Sequence, residues 1–216
     1  LLYPPLFPFT AAVIAVFLGK TIPVFCMTNI LFLTGIFFCL YFIGIKLGNA
    51  WLGVLASGFL MLYPMFFHLS RMFMLETALI CMVTLTITLL LYSEGFNKRK
   101  VSVFAGITLG LGLLTKQTFI VFLAGPVVFF FFENFFNLDA VQRRKRIVNL
   151  VLFIATGSAI ALPWYLADAP IKHLNVLHAA FDPSLVPVSF PVFSVNSIVY
   201  YLNILVHEQL DRKSVV

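Results

Sequence analysis

Long apolar runs separated by short polar gaps dominate this chain. The runs extend over Val24–Leu47, Ala50–Phe67, Met72–Tyr92, Val101–Thr115, Phe119–Phe132 and Val148–Trp164. A helix needs about 20 mostly apolar residues to cross a bilayer, and these runs approach or reach that length. An earlier run, Leu6–Leu18, is too short to span and begins among Pro4, Pro5 and Pro8. It is expected to lie at one interface or partly enter it. The stretch from Ala167 to Pro191 is the most polar long segment and contains four prolines, Pro170, Pro183, Pro187 and Pro191, as an external loop would. Beyond it, Val195–Gln209 places apolar and aromatic residues at helical spacing among Asn196, Asn203, His207 and Glu208, the pattern of an amphipathic surface helix. The expected fold class is all-α: a polytopic transmembrane helix bundle of about six spanning helices plus interfacial ones. The organisation is an interfacial segment over 1–20, spanning helices over 24–164, and an external loop with an amphipathic helix over 165–216.

Composition supports lipid as the solvent. Hydrophobic residues make up 62% of the 216 positions and charged residues only 10%, against about 25% charged in soluble domains. The net charge of +6 raises the question of nucleic acid. The basic residues, however, sit in the gaps between apolar runs, which is a topology signal and not a nucleic-acid surface. Lys46, Lys98-Arg99-Lys100 and Arg143-Arg144-Lys145-Arg146 all fall on one side, expected to be the cytoplasm under the positive-inside rule. The opposite, external side then holds Tyr3-Pro4-Pro5, His68 to Glu76, Lys116-Gln117 and Pro163-Trp164-Tyr165. Cys26, Cys39 and Cys81 lie inside apolar runs with no metal or disulfide spacing and read as packing residues. With no initiator Met and an abrupt end at Val216, the chain reads as a fragment of a longer protein.

Chemistry concentrates in a few places. An ionisable group within a membrane segment costs about 2.5–3.5 kcal/mol on insertion scales, so Arg71, Glu76 and Lys116 need a reason to be there. Positive charge on the outer side runs against the topology bias, and an anionic phosphate would favour it. The structural alternatives are a snorkelling Lys116 and an ion pair involving Arg71 or Glu76. These two are five residues apart, not the favoured four. His68 precedes Arg71 by three positions and can share its face. Gly106 and Gly110 form a small-xxx-small pattern, followed by Gly112, which points to close helix packing. His173, His178, Asp168 and Asp182 match no zinc spacing and read as solvated loop residues. Tyr3-Pro4-Pro5-Leu6 cannot begin as regular helix, because a residue before proline is pushed to extended backbone.

In order, Tyr-Pro-Pro-Leu-Phe-Pro, His-Leu-Ser-Arg-Met-Phe-Met-Leu-Glu, Gly-Leu-Leu-Thr-Lys-Gln-Thr and Pro-Trp-Tyr run from Tyr3 to Tyr165. This set resembles the polytopic glycosyltransferases of the GT-C fold, nearest to the protein O-mannosyltransferases and the bacterial aminoarabinose and Rgt-type sugar transferases. The resemblance implies transfer of a sugar from a polyprenyl-phosphate donor to a lipid, glycan or protein acceptor on the outer face. It places Arg71 and Lys116 on the donor phosphate. Glu76 stands where relatives more often carry Asp. Glu76, His68, Tyr3 and Gln117 are the other candidate substrate-site residues. The family's base lies on a first external loop, upstream of this chain, so the catalytic residues are unassigned here. The resemblance names no cofactor, leaves a divalent metal open, and implies a multi-pass protein of a bacterial or archaeal plasma membrane, with membrane lipids as partners and no nucleic acid. The competing class is a transporter or channel subunit with Arg71, Glu76 and Lys116 along a substrate path.

Overall fold

A computed structural model of the chain describes residues 4–135 and 139–181, with side chains at all of these except 133–135, 140 and 168–181. Among the described residues the secondary structure is helical throughout: α1 (Leu6–Leu18), α2 (Ile22–Lys46), α3 (Ala50–Leu62), α4 (Pro64–Arg71), α5 (Glu76–Tyr92), α6 (Arg99–Leu113), α7 (Phe119–Phe135) and α8 (Ala140–Phe181). The chain divides into two compact units, Leu1–Asp168 and Ala169–Val216. The first holds the bundle. Of the second, the described part is the helical backbone from 169 to Phe181. The stretch from Ala167 to Phe181, expected in a loop, is therefore helical. Its alanine and leucine content suits a helix, and Pro170 removes only one backbone donor. Asp182 and the amphipathic helix expected over Val195–Gln209 lie outside the described residues, as does Tyr3.

Local chemistry sets the helix ends. α2 starts after extended Thr21 with a proline in its first turn, and ends on Lys46, a cation that complements the carboxyl end of the helix. Gly48, at φ 96°, turns the chain. Asn49 then caps α3 by accepting a hydrogen bond from the Trp51 backbone N–H at 2.9 Å. The resulting α2–α3 hairpin is tight because Gly44 faces Gly53: a Cβ on Gly44 would sit 2.6 Å from the Gly53 nitrogen. Pro64 breaks the next run. Tyr63 adopts an extended conformation (ψ 112°), as the residue before proline must, and α3 and α4 meet at 79°. The expected crossing over Ala50–Phe67 is thus a bent pair. α5 begins at Glu76 and not at Met72, because Met72 is extended and its carbonyl accepts a hydrogen bond from Asn29 Nδ2.

Side-chain and backbone bonds gather several helix ends at two poles. Leu6 N–H donates to Leu114 O (3.0 Å), so α1 begins beside the α6–α7 turn. Tyr165 O–H donates to Leu113 O (2.7 Å), bringing α8 to the same pole. At the other pole Lys46 and Lys98 meet Glu94. Asn149 Nδ2 donates to Phe96 O at 2.6 Å, and Lys145 Nζ to Asn97 Oδ1 at 2.9 Å. The chain alternates between these poles through α2, α3–α4, α5, α6, α7 and α8, as the apolar runs predict. α1 starts at the pole where α2 also starts, so it does not cross. By length and apolarity alone two helices qualify as spans, Ile22–Lys46 and Val141–Ala167, or three if the bent pair counts as one. α5 and α7 have 17 residues each and rise only about 26 Å, near the lower limit for a bilayer of about 30 Å. α6, with 15 residues, is shorter still.

α5 is the centre of the bundle. Leu79, Leu90, Phe96, Ala105, Leu109, Phe119, Leu123 and Phe153 bury one core against α6, α7 and α8. Phe7, Phe32, Ile36, Phe66, Ala78 and Cys81 bury another against α1, α2 and α4. A buried Thr86–Thr108 hydrogen bond of 3.0 Å ties α5 to α6. The small-residue spacing finds its partner in α8. A Cβ on Gly106 would lie 2.5 Å from Phe153 O, and one on Gly110 would lie 2.8 Å from Gly157 O. The two backbones touch, as glycine interfaces in membranes allow. Large apolar side chains such as Phe9, Phe17, Ile22, Trp51, Phe59 and Val121 are exposed, the arrangement expected of a bundle whose solvent is lipid.

Candidate functional site

The pole bearing the α6–α7 turn gathers the sequence candidates. Glu76 opens α5, with no side chain capping the helix at Leu75; a carboxylate in this first turn suits the positive end of the helix dipole. Lys116 sits in the turn that follows α6, where Thr115 and Lys116 N–H groups both donate to Gly112 O. Gly112 lets that turn close against the ring of Phe119, which is fully buried. The outcome is a salt bridge between residues 40 positions apart: Lys116 Nζ lies 3.1 Å from Glu76 Oε1. The two side chains are 31% and 36% exposed, so the pair is open to whatever occupies this face.

Arg71 ends α4 at the same pole and is exposed. Its guanidinium carbon lies 4.0 Å from the centroid of the Phe67 ring, a cation–π contact. His68, also exposed, stands one turn before it on the helix. Gln117, adjacent to Lys116, is exposed as well. The structure thus joins Glu76 to Lys116 directly and puts Arg71, His68 and Gln117 at the same end. Pro4 and Pro5 lead into α1 there, since the next residue's N–H is bonded to Leu114 O. An extended start at Tyr3 falls outside the described residues. Among the described residues, no group of three or more His, Cys, Asp or Glu is placed to hold a metal ion.

Beneath the charged residues lies a polar layer that local sequence reasoning missed. Thr28 and Asn29 on α2 and Thr77 on α5 are at most 1% exposed. Asn29 fastens the α4–α5 connection through Met72 O. Among the described residues the Thr28 and Thr77 hydroxyls, the Asn29 carbonyl oxygen and Trp164 Nε1 find no hydrogen-bond partner, although buried polar groups are nearly always paired. The available signal was a Thr-Asn pair within an apolar run. Tyr165, expected on this side only as part of Pro-Trp-Tyr, proves to anchor α8 to the turn before Lys116.

A helical bundle with an apolar exterior, basic clusters at one pole, and a lysine–carboxylate pair and an exposed arginine at the other is a polytopic membrane protein. The family model for dolichyl-phosphate-mannose-protein mannosyltransferase matches residues 3–178, most of the chain, and the chain belongs to that family. No curated protein and no solved structure matches it. Membership places the chain among the membrane glycosyltransferases of the GT-C superfamily, the class its motif order resembles. It lends nothing to the transporter or channel reading.

Proposed function

We propose that this chain supplies the donor-phosphate site of a glycosyltransferase that moves a sugar from a polyprenyl-phosphate carrier to an acceptor at the outer face of the membrane. The observation that carries the reading is the Lys116–Glu76 pair at the pole opposite the basic clusters. Breaking the bond between an anomeric carbon and a lipid phosphate leaves charge on the phosphate oxygens, and cations preset in a low-dielectric site stabilise it. Lys116 offers a point charge and Arg71 a planar fork for two phosphate oxygens. Glu76 holds the Lys116 ammonium in place while no donor is bound. Its link to Lys116 makes it an orienting carboxylate in this reading, not the base that activates the acceptor.

The test uses the full-length enzyme in nanodiscs with a polyprenyl-phosphate sugar donor. Lys116→Met keeps the apolar stem and removes the charge. It should cost about 2–4 kcal/mol of transition-state stabilisation, the size of one preorganised electrostatic contact. The melting temperature should change little, because a pair this exposed contributes about 1 kcal/mol or less. Arg71→Met should behave similarly, and the double variant should fall short of additivity since both groups act on one phosphate. Normal transfer rates and donor binding in both single variants would refute the proposal. So would equal stability losses in Lys116→Met and Glu76→Gln with unchanged turnover per folded molecule, the behaviour of a structural latch.

A further inference from the structure

The opposite pole carries a feature that the transferase reading does not use. Between α2 and α5, bordered by Val101 at the start of α6, lies an apolar groove of about 470 Å³. Phe38, Phe42, Leu85, Leu89, Tyr92 and Val101 are among its walls. Phe38 is 61% exposed and Phe42 46%, so the groove opens laterally towards the surrounding lipid. Tyr92 O–H donates to Phe42 O at 3.0 Å and holds the groove's end in shape.

The mouth is cationic. Lys46 Nζ stands 5.6 Å from the centroid of the Tyr92 ring, which itself lines the groove. Glu94 draws Lys46 (3.3 Å) and Lys98 (2.7 Å) to one carboxylate oxygen, Oε1. Arg99 and Lys100 follow immediately, and Val101, the next residue, is again a groove wall. An apolar trough with Lys46 over its Tyr92 wall, Lys98 drawn to the same Glu94 carboxylate, and Arg99 and Lys100 next in the chain to its Val101 wall has an excess of positive charge at that end, which matches an amphiphile with a hydrocarbon tail and an anionic head. We propose that this groove binds an anionic phospholipid of the leaflet facing the basic pole, with one acyl chain along α2 and α5 and its phosphate at Lys46 and Lys98. The donor lipid of the transferase reading does not fit this orientation, because its phosphate belongs at the Lys116 pole. The inference needs only the membrane bundle and stands independently of that reading.

Native mass spectrometry of the purified chain, delipidated in detergent, tests it by competing phosphatidylglycerol with phosphatidylcholine of identical acyl chains. The wild type should retain phosphatidylglycerol several-fold over phosphatidylcholine. Lys46→Gln with Lys98→Gln should bring that ratio towards one, while Leu85→Trp, which narrows the trough, should reduce adducts of both lipids. Phe38→Trp, at an exposed wall position that tolerates an aromatic ring, provides a second readout: phosphatidylglycerol brominated along its acyl chains should quench the added fluorescence. Equal retention of the two lipids by the wild type would overturn the proposal. An unchanged ratio in the double glutamine variant would overturn it too, as would recovery of this face only as a lipid-free dimer contact or with polyprenyl phosphate as its sole lipid.

Discussion

The contact between α6 and α8 allows a stability prediction in which the confounding term cancels. Replacing glycine by alanine inside a helix gains up to about 1 kcal/mol of helix propensity wherever the new methyl has room. At Gly58, in α3, a Cβ would meet nothing within 4 Å, so Gly58→Ala should be neutral or mildly stabilising. At Gly106 the same methyl would approach Phe153 O at 2.5 Å and press on Thr156. A backbone carbonyl in a helix cannot swing aside like a side-chain end, so α8 must shift. Phe153 is 2% exposed and Leu109 7%, so the shift opens gaps in a core that is otherwise closed. Overpacking of this kind costs about 1–3 kcal/mol. Because the propensity term is common to both variants, the difference between Gly106→Ala and Gly58→Ala isolates the packing cost. Unfolding the two variants and the wild type by SDS titration in mixed micelles measures it. Gly106→Ala should lie about 1–3 kcal/mol below Gly58→Ala. Equal unfolding free energies in the two variants would show that α6 and α8 are not in backbone contact, and the account of the glycine seam would be wrong.

Two further predictions concern the basic pole. Asn149→Leu removes the 2.6 Å hydrogen bond to the buried Phe96 carbonyl and should destabilise by about 1 kcal/mol, the net worth of a typical intramolecular hydrogen bond; a thermal melt in detergent matching the wild type would contradict it. Hydrogen bonds from Lys98, and then Lys46, hold the Glu94 carboxyl below the usual carboxylate range. A depressed folded value means that the stabilisation is complete above the ordinary carboxylate range and is lost as pH falls through the depressed value. Melts collected over falling pH should therefore show an acid limb that Glu94→Gln flattens, and superimposable profiles would exclude the Glu94 network as its source.

How much of this was legible in the sequence depends on how far apart the interacting residues are. The alternation of the chain between two poles follows from apolar length and basic clusters, both local properties. The break at Pro64 also has a local cause, yet an apolar run with one proline reads equally well as a kinked span or two helices, and only the packing of α4 decides. The helix start at Glu76 was hidden because Met72 to Leu75 are apolar enough to continue the run. What stops them is the Asn29 amide on Met72 O, a contact across 43 positions. The Gly106–Gly110 spacing announced a close packing, but its partner, Gly157 in α8, carries no signal that singles it out. Likewise the sequence identified Glu76 and Lys116 as costly charges without pairing them, since rules for ion pairs on one helix do not reach across 40 residues.

The bend at Pro64 has a consequence for the lipid around it. α3, with 13 residues, rises only about 20 Å, roughly 10 Å less than the hydrocarbon thickness of an average bilayer. With α4 turned away by 79°, it cannot make up the shortfall by height. A membrane meets such hydrophobic mismatch by thinning locally. Thinning beside α3 would bring a headgroup plane closer to α4, the short helix that carries the exposed His68 and Arg71.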